Sequence, residues 1–140
     1  MNGARGFSLI ELMIAVAILA IIAGITVPLY NGYIRESRLT AMRLNLDTLR
    51  IAMEAYRLDR PLGNYGPTAS YATVANIYSQ FGWQPEGDNS AYVYRIDVTS
   101  AATPVYWLSA TSSGYFTRCE KAATTYRCCD GAGDGSTACP

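Results

Sequence analysis

The chain of 140 residues contains no histidine, and this absence excludes several kinds of chemistry. A Ser-His or Cys-His catalytic dyad cannot form, and a zinc site would have to be built from other ligands. The formal net charge is zero, with eleven basic and eleven acidic residues, whereas non-specific nucleic-acid binding requires a strongly basic surface. No other base and nucleophile pair emerges from the sequence. We therefore expect a protein that is not an enzyme and that uses no cofactor.

Charge is also missing from most of the first third of the chain. No charged residue lies between Glu11 and Arg35, and residues 12–27 are nearly all apolar. About 20 such residues cross the hydrocarbon core of a bilayer. No small-residue cleavage site follows the run, so we expect it to remain in the mature protein as a single membrane helix. Arg5 precedes the run, which favours a cytoplasmic N-terminus.

Cysteine is absent from the first 118 residues, and all four cysteines lie in the C-terminal tail. An even number in one segment favours disulfides in an oxidising compartment. The paired C-x-x-C spacing of metal sites is missing, so we predict no metal site. Cys128 and Cys129 point to opposite sides if they are extended, and so do not pair with each other. Two pairings remain: Cys119–Cys128 with Cys129–Cys139, or Cys119–Cys129 with Cys128–Cys139.

The most specific motif of the chain opens the apolar run. A carboxylate within a membrane-length segment is unfavourable, by about 2.5–3.5 kcal/mol where it lies at the centre, so we expect a group that neutralises Glu11. The stretch Gly6-Phe7-Ser8-Leu9-Ile10-Glu11-Leu12 resembles the N-terminal signature of type IV pilins and of the related pseudopilins of type II secretion. This resemblance implies that a prepilin peptidase cuts between Gly6 and Phe7 and that Phe7 is then N-methylated. It also implies that Glu11 is the family's characteristic glutamate, which acts in assembly.

The resemblance implies a domain organisation and a function for the whole chain. Residues 1–6 would be a cleaved leader, residues 7–34 a transmembrane and assembly helix, and residues 35–140 a globular domain that includes the second half of the helix. The protein would be a structural subunit of a type IV pilus. Assembly machinery would move it from the inner membrane into an extracellular filament, which could serve adhesion, twitching motility or DNA uptake.

Two alternatives stay open beside the pilus subunit. One is a pseudopilin of type II secretion, although pseudopilins usually lack a stapled C-terminal tail. The other is a minor pilin that captures DNA through Arg118, Lys121 and Arg127, which would contact phosphates. Acidic residues stand among these three cations, which favours a mixed solvated surface over a nucleic-acid site.

The apolar run contains one weak point for a helix. Pro28 has no amide hydrogen, and its ring clashes with the carbonyl of Gly24, itself a poor helix former. A simple kink is one outcome. The resemblance implies another, in which this stretch loses helicity when subunits pack into a filament.

Residues 35–60 are expected to continue as an amphipathic helix, ended by Pro61 and Gly63. Leu44, Ile51 and Leu58 are expected to widen its apolar face. The main residues of that face, at spacings of three and four, are Leu39, Met42, Leu46, Leu49, Met53 and Tyr56.

The remaining chain predicts a small sheet. A short helix over residues 71–81 would be capped by Ser70 and stopped by Gly82. Strands are predicted over residues 91–99, 105–111, 115–119 and 124–129, and the glycine-rich residues 130–136 are predicted to be a loop. A long helix followed by consecutive antiparallel strands is an α+β fold, here with a disulfide-stapled tail.

Overall fold

The structure of the protein is a computed structural model that describes residues 6–60, 64–87, 90–100, 105–122, 124–133, 135 and 139. The chain divides into two compact units, Met1–Ser37 and Arg38–Pro140. Residues 1–5 of the predicted leader, the predicted helix stops Pro61 and Gly63, and residues 134 and 136 of the predicted loop lie outside the described residues. In chain order the elements are α1 (Leu9–Leu58), β1 (Ala69–Tyr71), α2 (Val74–Phe81), β2 (Val93–Ser100), β3 (Val105–Ser112), β4 (Tyr115–Ala122) and β5 (Thr125–Ala132).

The part of α1 in the second unit is amphipathic, as the spacing predicts. One face is buried in the core of that unit, and Tyr56 at the edge of the face is partly buried. The buried apolar residues of α1 are Leu39, Met42, Leu46, Leu49 and Met53.

The prediction that three further apolar residues widen this face is wrong. Leu44, Ile51 and Leu58 are 64%, 62% and 77% exposed. Successive residues of an α-helix are about 100° apart, so a residue two positions from a buried one points to the opposite side. Leu44 stands two positions from both Met42 and Leu46. The three residues therefore form a separate line on the outer side of α1.

The short helix begins later than predicted. Ser70 belongs to β1, which the sequence did not predict, and Thr73 is the N-cap of α2, its hydroxyl accepting from the Asn76 N–H at 3.2 Å. Gly82 ends the helix as predicted. It adopts a φ of 66°, and its N–H donates to the carbonyl of Tyr78 at 2.8 Å.

The five strands form one antiparallel sheet in the order β1-β2-β3-β4-β5. The α+β fold is thereby confirmed. Because side chains alternate along a strand, the sheet has a core face, which packs in the hydrophobic core, and an outer face. The core face carries Tyr94, Ile96, Val98, Tyr106, Leu108, Ala110 and Cys119. The strand register places Arg95, Asp97, Trp107, Ser109, Phe116, Arg118 and Glu120 on the outer face.

The last strand is longer than the sequence predicts. Asp130, Gly131 and Ala132 were assigned to a loop, but they continue β5 and pair with Thr117, Phe116 and Tyr115. Glycine normally weakens a strand, but Gly131 leaves room that a larger residue would fill. A Cβ at this position would lie 2.5 Å from Cε1 of Phe116. The ring of Phe116 therefore packs over the backbone of β5.

Candidate functional site

The first turn of α1 is closed by a hydrogen bond between two motif residues. The N–H of Ser8 donates to Oε2 of Glu11 at 3.1 Å, and the N–H of Leu12 donates to the carbonyl of Ser8 at 3.2 Å. Ser8 is thus the N-cap, and Glu11 lies three positions after it, where its carboxylate satisfies a helix-start donor. Negative charge in the first turn is also stabilised by the helix dipole. Glu11 therefore has a local role that the sequence analysis did not identify.

The peptide bond between Gly6 and Phe7 lies before the first residue of α1. Gly6 is exposed, with no atom within 4 Å of the position that a Cβ would take, and Phe7 is 86% exposed. A protease needs an extended, accessible segment, and a helix does not present one. The geometry at this bond is compatible with processing there.

The apolar run forms the exposed part of α1. One window of 18 residues in α1 has a mean hydropathy of 2.7 and is 0% buried, and α1 is long and apolar enough to cross a membrane. The helix stays regular through Gly24 and Pro28. Around this point, the hydroxyl of Thr26 donates to the carbonyl of Ile22 at 3.0 Å. Whether the stretch unwinds in a filament stays a prediction.

The C-terminal segment is held by two disulfides, Cys119–Cys128 and Cys129–Cys139. This is the first of the two pairings that the sequence left open. Cys119 and Cys128 are directly opposed in the β4–β5 register and lie on the core face. Cys129 follows on the outer face, where it holds Cys139. The adjacent cysteines therefore serve opposite faces of one hairpin.

The described tail residues Gly133, Gly135 and Cys139 lie along the outer face of the sheet. The N–H of Gly133 donates to the carbonyl of Gly114 at 2.8 Å, and Gly135 lies against Phe116 and Ser109. The N–H of Cys139 donates to Oε1 of Glu120 at 3.2 Å. The described tail residues thus follow β4 from its turn toward the second disulfide.

Arg118 is the main polar contact beneath this tail. Its side chain is 7% exposed, and its Nε donates to Oε1 of Glu120 at 2.8 Å. Its Nη1 donates to the carbonyl of Gly135 at 3.0 Å, and its guanidinium lies 4.1 Å from the ring centroid of Trp107. We define Arg118, Glu120 and Trp107 as the tail clamp.

The three cations predicted as DNA contacts do not form a common surface. Arg118 is buried in the tail clamp, Lys121 is partly buried, and Arg127 is exposed. Residues 118 and 121 are an odd number of positions apart in β4, so their side chains leave opposite faces of the sheet. The structure therefore brings Arg118 and Arg127 to one face and separates them from Lys121.

Asp130 joins β5 to α1. Its carboxylate accepts from Arg43 at both oxygens and from the hydroxyl of Thr117 at 2.9 Å. Arg43 of α1 thus pairs with a residue of β5, whereas Arg50 and Arg57 lie near Asp47 and Glu54, which stand three positions earlier on the same helix. Within the described residues, no group of three or more His, Cys, Asp or Glu side chains could hold a metal ion.

Burial raises the pKa of several tyrosines of the second unit above the ordinary value of a phenol. Burial raises the pKa of Tyr94 and of Tyr126 to about 12. Burial is also the main cause that raises the pKa of Tyr65 and of Tyr106, and the Glu54 carboxylate, which accepts from the Tyr65 hydroxyl, adds to it. The rings of Tyr65 and Tyr106 meet edge to face with centroids 4.7 Å apart. These phenols are packing groups of the core.

Comparison with known proteins bears on the N-terminal motif. These features define a class of protein that begins with an apolar helix. A short motif that fits proteolytic processing precedes the helix, and an α+β unit with disulfides follows it. The family model described as "Prokaryotic N-terminal methylation motif" matches residues 1–27. No solved structure gives a significant match to the chain.

Three relatives illustrate the similarity. The chain is 41% identical over 59 residues to "Prepilin peptidase-dependent protein D" of Escherichia coli, which is 42% of this chain and 40% of that protein. It is 44% identical over 55 residues to "Type IV major fimbrial protein FimA" of Dichelobacter nodosus, 39% of this chain and 35% of that protein. It is 32% identical over 96 residues to "Type IV major pilin protein PilA" of Myxococcus xanthus, 69% of this chain and 38% of that protein.

These matches confirm the resemblance of the chain to the type IV pilin family. The alignments span only 40%, 35% and 38% of the three relatives' own lengths. The family match covers residues 1–27, which include the predicted leader, the motif around Glu11 and the apolar residues 12–27. The functional site that this similarity supports is therefore the N-terminal end of α1.

Proposed function

We propose that this chain is a structural subunit of a type IV pilus, held in the inner membrane by α1 before it enters an extracellular filament. The observation that carries the proposal is the apolar, unburied part of α1 with a single carboxylate in its first turn. An apolar surface of this length needs lipid or another apolar helix around it. The similarity to fimbrial proteins supports a final position in a filament, where the apolar helices of other copies surround α1.

In this proposal the leader 1–6 is removed by a prepilin peptidase, residues 7–34 are the membrane and assembly helix, and residues 35–140 are the globular domain. The N-terminus is cytoplasmic, and the disulfide-bearing part faces the oxidising side. The name of the Escherichia coli relative and the methylation motif support processing at Gly6-Phe7. Cleavage there creates a Phe7 amine, which can still carry a positive charge after N-methylation.

Glu11 then acts in assembly by pairing with the Phe7 ammonium of a neighbouring subunit. In a single subunit the Glu11 carboxylate is exposed and binds the Ser8 N–H through Oε2. Inside a filament neither charge could reach water, and a buried carboxylate must be paired or protonated. Pairing between copies would also fix the axial register of neighbouring helices, because apolar packing alone specifies it weakly.

The test replaces the carboxylate and leaves the rest of α1 unchanged. Glu11→Val, expressed as the sole copy, should still be inserted and cleaved, because it only makes the segment more apolar. It should yield no surface filaments after shearing. The matched control is Glu36→Val, which removes an exposed carboxylate from the same helix beyond the apolar run.

Filaments of normal number and length from Glu11→Val would refute the pairing role and leave the pilus proposal in place. If the unmodified chain, expressed in a host with the assembly machinery, is absent from sheared filaments, the pilus proposal itself fails. Mass spectrometry of the sheared material also reports whether the mature chain begins at Phe7.

A further inference from the structure

Several buried polar atoms of the second unit lack a partner. Among the described residues, four buried side-chain atoms make no hydrogen bond, namely Nε of Arg50 and the hydroxyl oxygens of Tyr106, Ser112 and Tyr126. Such atoms are rare in native proteins, because burying a polar group without a hydrogen bond is unfavourable. Ser112 ends β3, whereas Tyr106 stands near the start of that strand. The other three atoms belong to one region of the fold.

The strand register places the two phenols in one row of the sheet. Tyr106 of β3 pairs with Lys121 of β4, and Lys121 pairs with Tyr126 of β5. Residues that are directly opposite in antiparallel strands leave the same face, and Tyr106 lies on the core face. Lys121 is therefore flanked by two tyrosines. Within the part of the chain that the structure describes, no carboxylate forms an ion pair with it.

Helix α1 brings a third polar group to this row. The guanidinium carbon of Arg50 lies 4.9 Å from the centroid of the Tyr126 ring. Burial raises the pKa of Tyr106 and of Tyr126, and the positive charge of Arg50 opposes the rise at both. Arg50 is thus near both phenols. Its nearest carboxylate, that of Asp47, is 3.8 Å from Nε, which is beyond hydrogen-bond distance.

The carboxylates around the row do not neutralise all of its positive charge. Glu54 accepts from the Tyr65 hydroxyl at 2.5 Å and from Nε of Arg57 at 3.0 Å. The Asp47 side chain is 55% exposed, so it lies largely in solvent. These two carboxylates balance the two arginines that stand three positions after them on α1. The charge of Lys121 is left over.

We propose that this region binds a small oxyanion between α1 and the sheet. We define the donor cluster as Arg50, Tyr106, Lys121 and Tyr126. All four side chains can donate hydrogen bonds and two are positively charged, and an oxyanion offers several strong acceptor atoms. A water molecule carries no charge to balance Lys121. Because the Arg50 side chain is 40% exposed, the cluster borders solvent and a small ion can reach it. The inference goes beyond the proposed pilus function and does not depend on it.

Calorimetric titration of the full-length chain in neutral detergent with inorganic phosphate tests the proposal. At constant ionic strength, one phosphate should bind per chain with a Kd of roughly 1 mM or less. Sulfate should compete with it. Dihexanoyl phosphatidate, which carries the same group on a soluble lipid, should bind more weakly, because the donors of the cluster are buried. Tighter binding of this lipid would refute the assignment to a small free ion.

Two substitutions connect the binding to the donor cluster. Tyr106→Phe removes only a hydroxyl, and Lys121→Met removes a charge while it keeps most of the apolar volume. Each should weaken phosphate binding roughly tenfold or more, as expected for a hydrogen bond that involves a charged group. The matched control Arg127→Met removes an exposed cation of β5 and should leave the Kd unchanged. If either variant does not unfold cooperatively, Tyr126→Phe replaces it.

The outcomes separate the inference from the pilus proposal. The inference is wrong if phosphate does not bind the folded chain. It is also wrong if the cluster variants and Arg127→Met bind phosphate equally well, because the ion would then be attracted to surface cations in general. None of these measurements needs a filament. Failure here therefore leaves the pilus proposal in place, and absence of the chain from filaments leaves the oxyanion site in place.

Discussion

Replacing Arg118 by methionine distinguishes a structural role from a nucleic-acid role for the same residue. Methionine keeps much of the length and apolar volume of the side chain but removes the guanidinium. The structure shows three groups that lose a partner, namely the Glu120 carboxylate, the Gly135 carbonyl and the ring of Trp107. The Glu120 side chain is 23% exposed and would still accept a hydrogen bond from the Cys139 N–H.

The expected loss in the free energy of unfolding follows from the burial of the ion pair between Arg118 and Glu120. Removing one partner of a buried ion pair costs about 3–5 kcal/mol, because the remaining charge is left uncompensated. A domain has a total free energy of unfolding of about 5–15 kcal/mol, so this is a large part of it. For a domain of this size the loss corresponds to a Tm lower by about 12–40 °C. Arg127 is exposed on the same face, so Arg127→Met should lower the free energy of unfolding by no more than about 0.5 kcal/mol.

The assay is thermal unfolding of the full-length protein in detergent, followed by tryptophan fluorescence. Trp107 lies in the tail clamp and Trp83 is buried in the core, so the two tryptophans report on both parts. The prediction is that Arg118→Met lowers the Tm and that Arg127→Met does not. If Arg118→Met leaves the Tm unchanged but weakens binding to duplex DNA and reduces its salt dependence, the tail-clamp reasoning is refuted. The DNA-capture hypothesis would then gain support.

Three further predictions concern processing, pH and packing. Gly6→Ala should block cleavage, so that precursor accumulates in the inner membrane, as read from the intact mass. Stability should fall as the pH rises above 10, since the phenols ionise near 10 when unfolded but only near 12 at Tyr94 and Tyr126 when folded. Thermal unfolding from about pH 9 to about pH 11 measures this. Gly131→Ala should destabilise the domain by about 1–3 kcal/mol, because its methyl group overlaps Phe116, and denaturant unfolding measures this loss.

Each of these predictions has a result that contradicts it. Normal cleavage of Gly6→Ala would show that the peptidase site does not require glycine. Stability that stays constant from about pH 9 to about pH 11 would contradict the raised pKa of the buried phenols. Unchanged stability of Gly131→Ala would show that the Phe116 ring moves away freely, and Ala132→Gly in the same strand is its control.

The features that sequence predicted well are local or periodic. The apolar run and the motif around Glu11 are contiguous, so their meaning does not depend on the fold. The buried face of α1 follows from helix geometry alone. Leu44, Ile51 and Leu58 were misassigned because apolar character alone does not decide burial. Burial is decided by the angular position of each residue around the helix axis, and for these three residues that position faces away from the core.

The features that sequence missed depend on partners distant in the chain. Asp130 stands in a glycine-rich run that is typical of a loop, yet its pairing with Arg43, 87 positions away, accompanies the extension of β5. Arg118 looks like a surface cation in the sequence, but in the fold its side chain contacts Trp107 of β3 and the Gly135 carbonyl of the tail and is buried. A signal was present in the alternation of β4, which puts Arg118 and Glu120 on one face and Lys121 on the other.

The register of the β4–β5 hairpin can be determined from the disulfide pairing, in which Cys119 is joined to Cys128 and Cys129 to Cys139. If β5 slipped by one residue against β4, every side chain of β5 would move to the other face of the sheet. Cys129 would then stand opposite Cys119, and Cys128 would take the outward position, which is the alternative pairing. The disulfide pairing therefore shows in which register β4 and β5 were aligned when the two bonds formed. Peptide mapping of oxidised protein can read from two bonds whether each molecule closed its last hairpin in the native register.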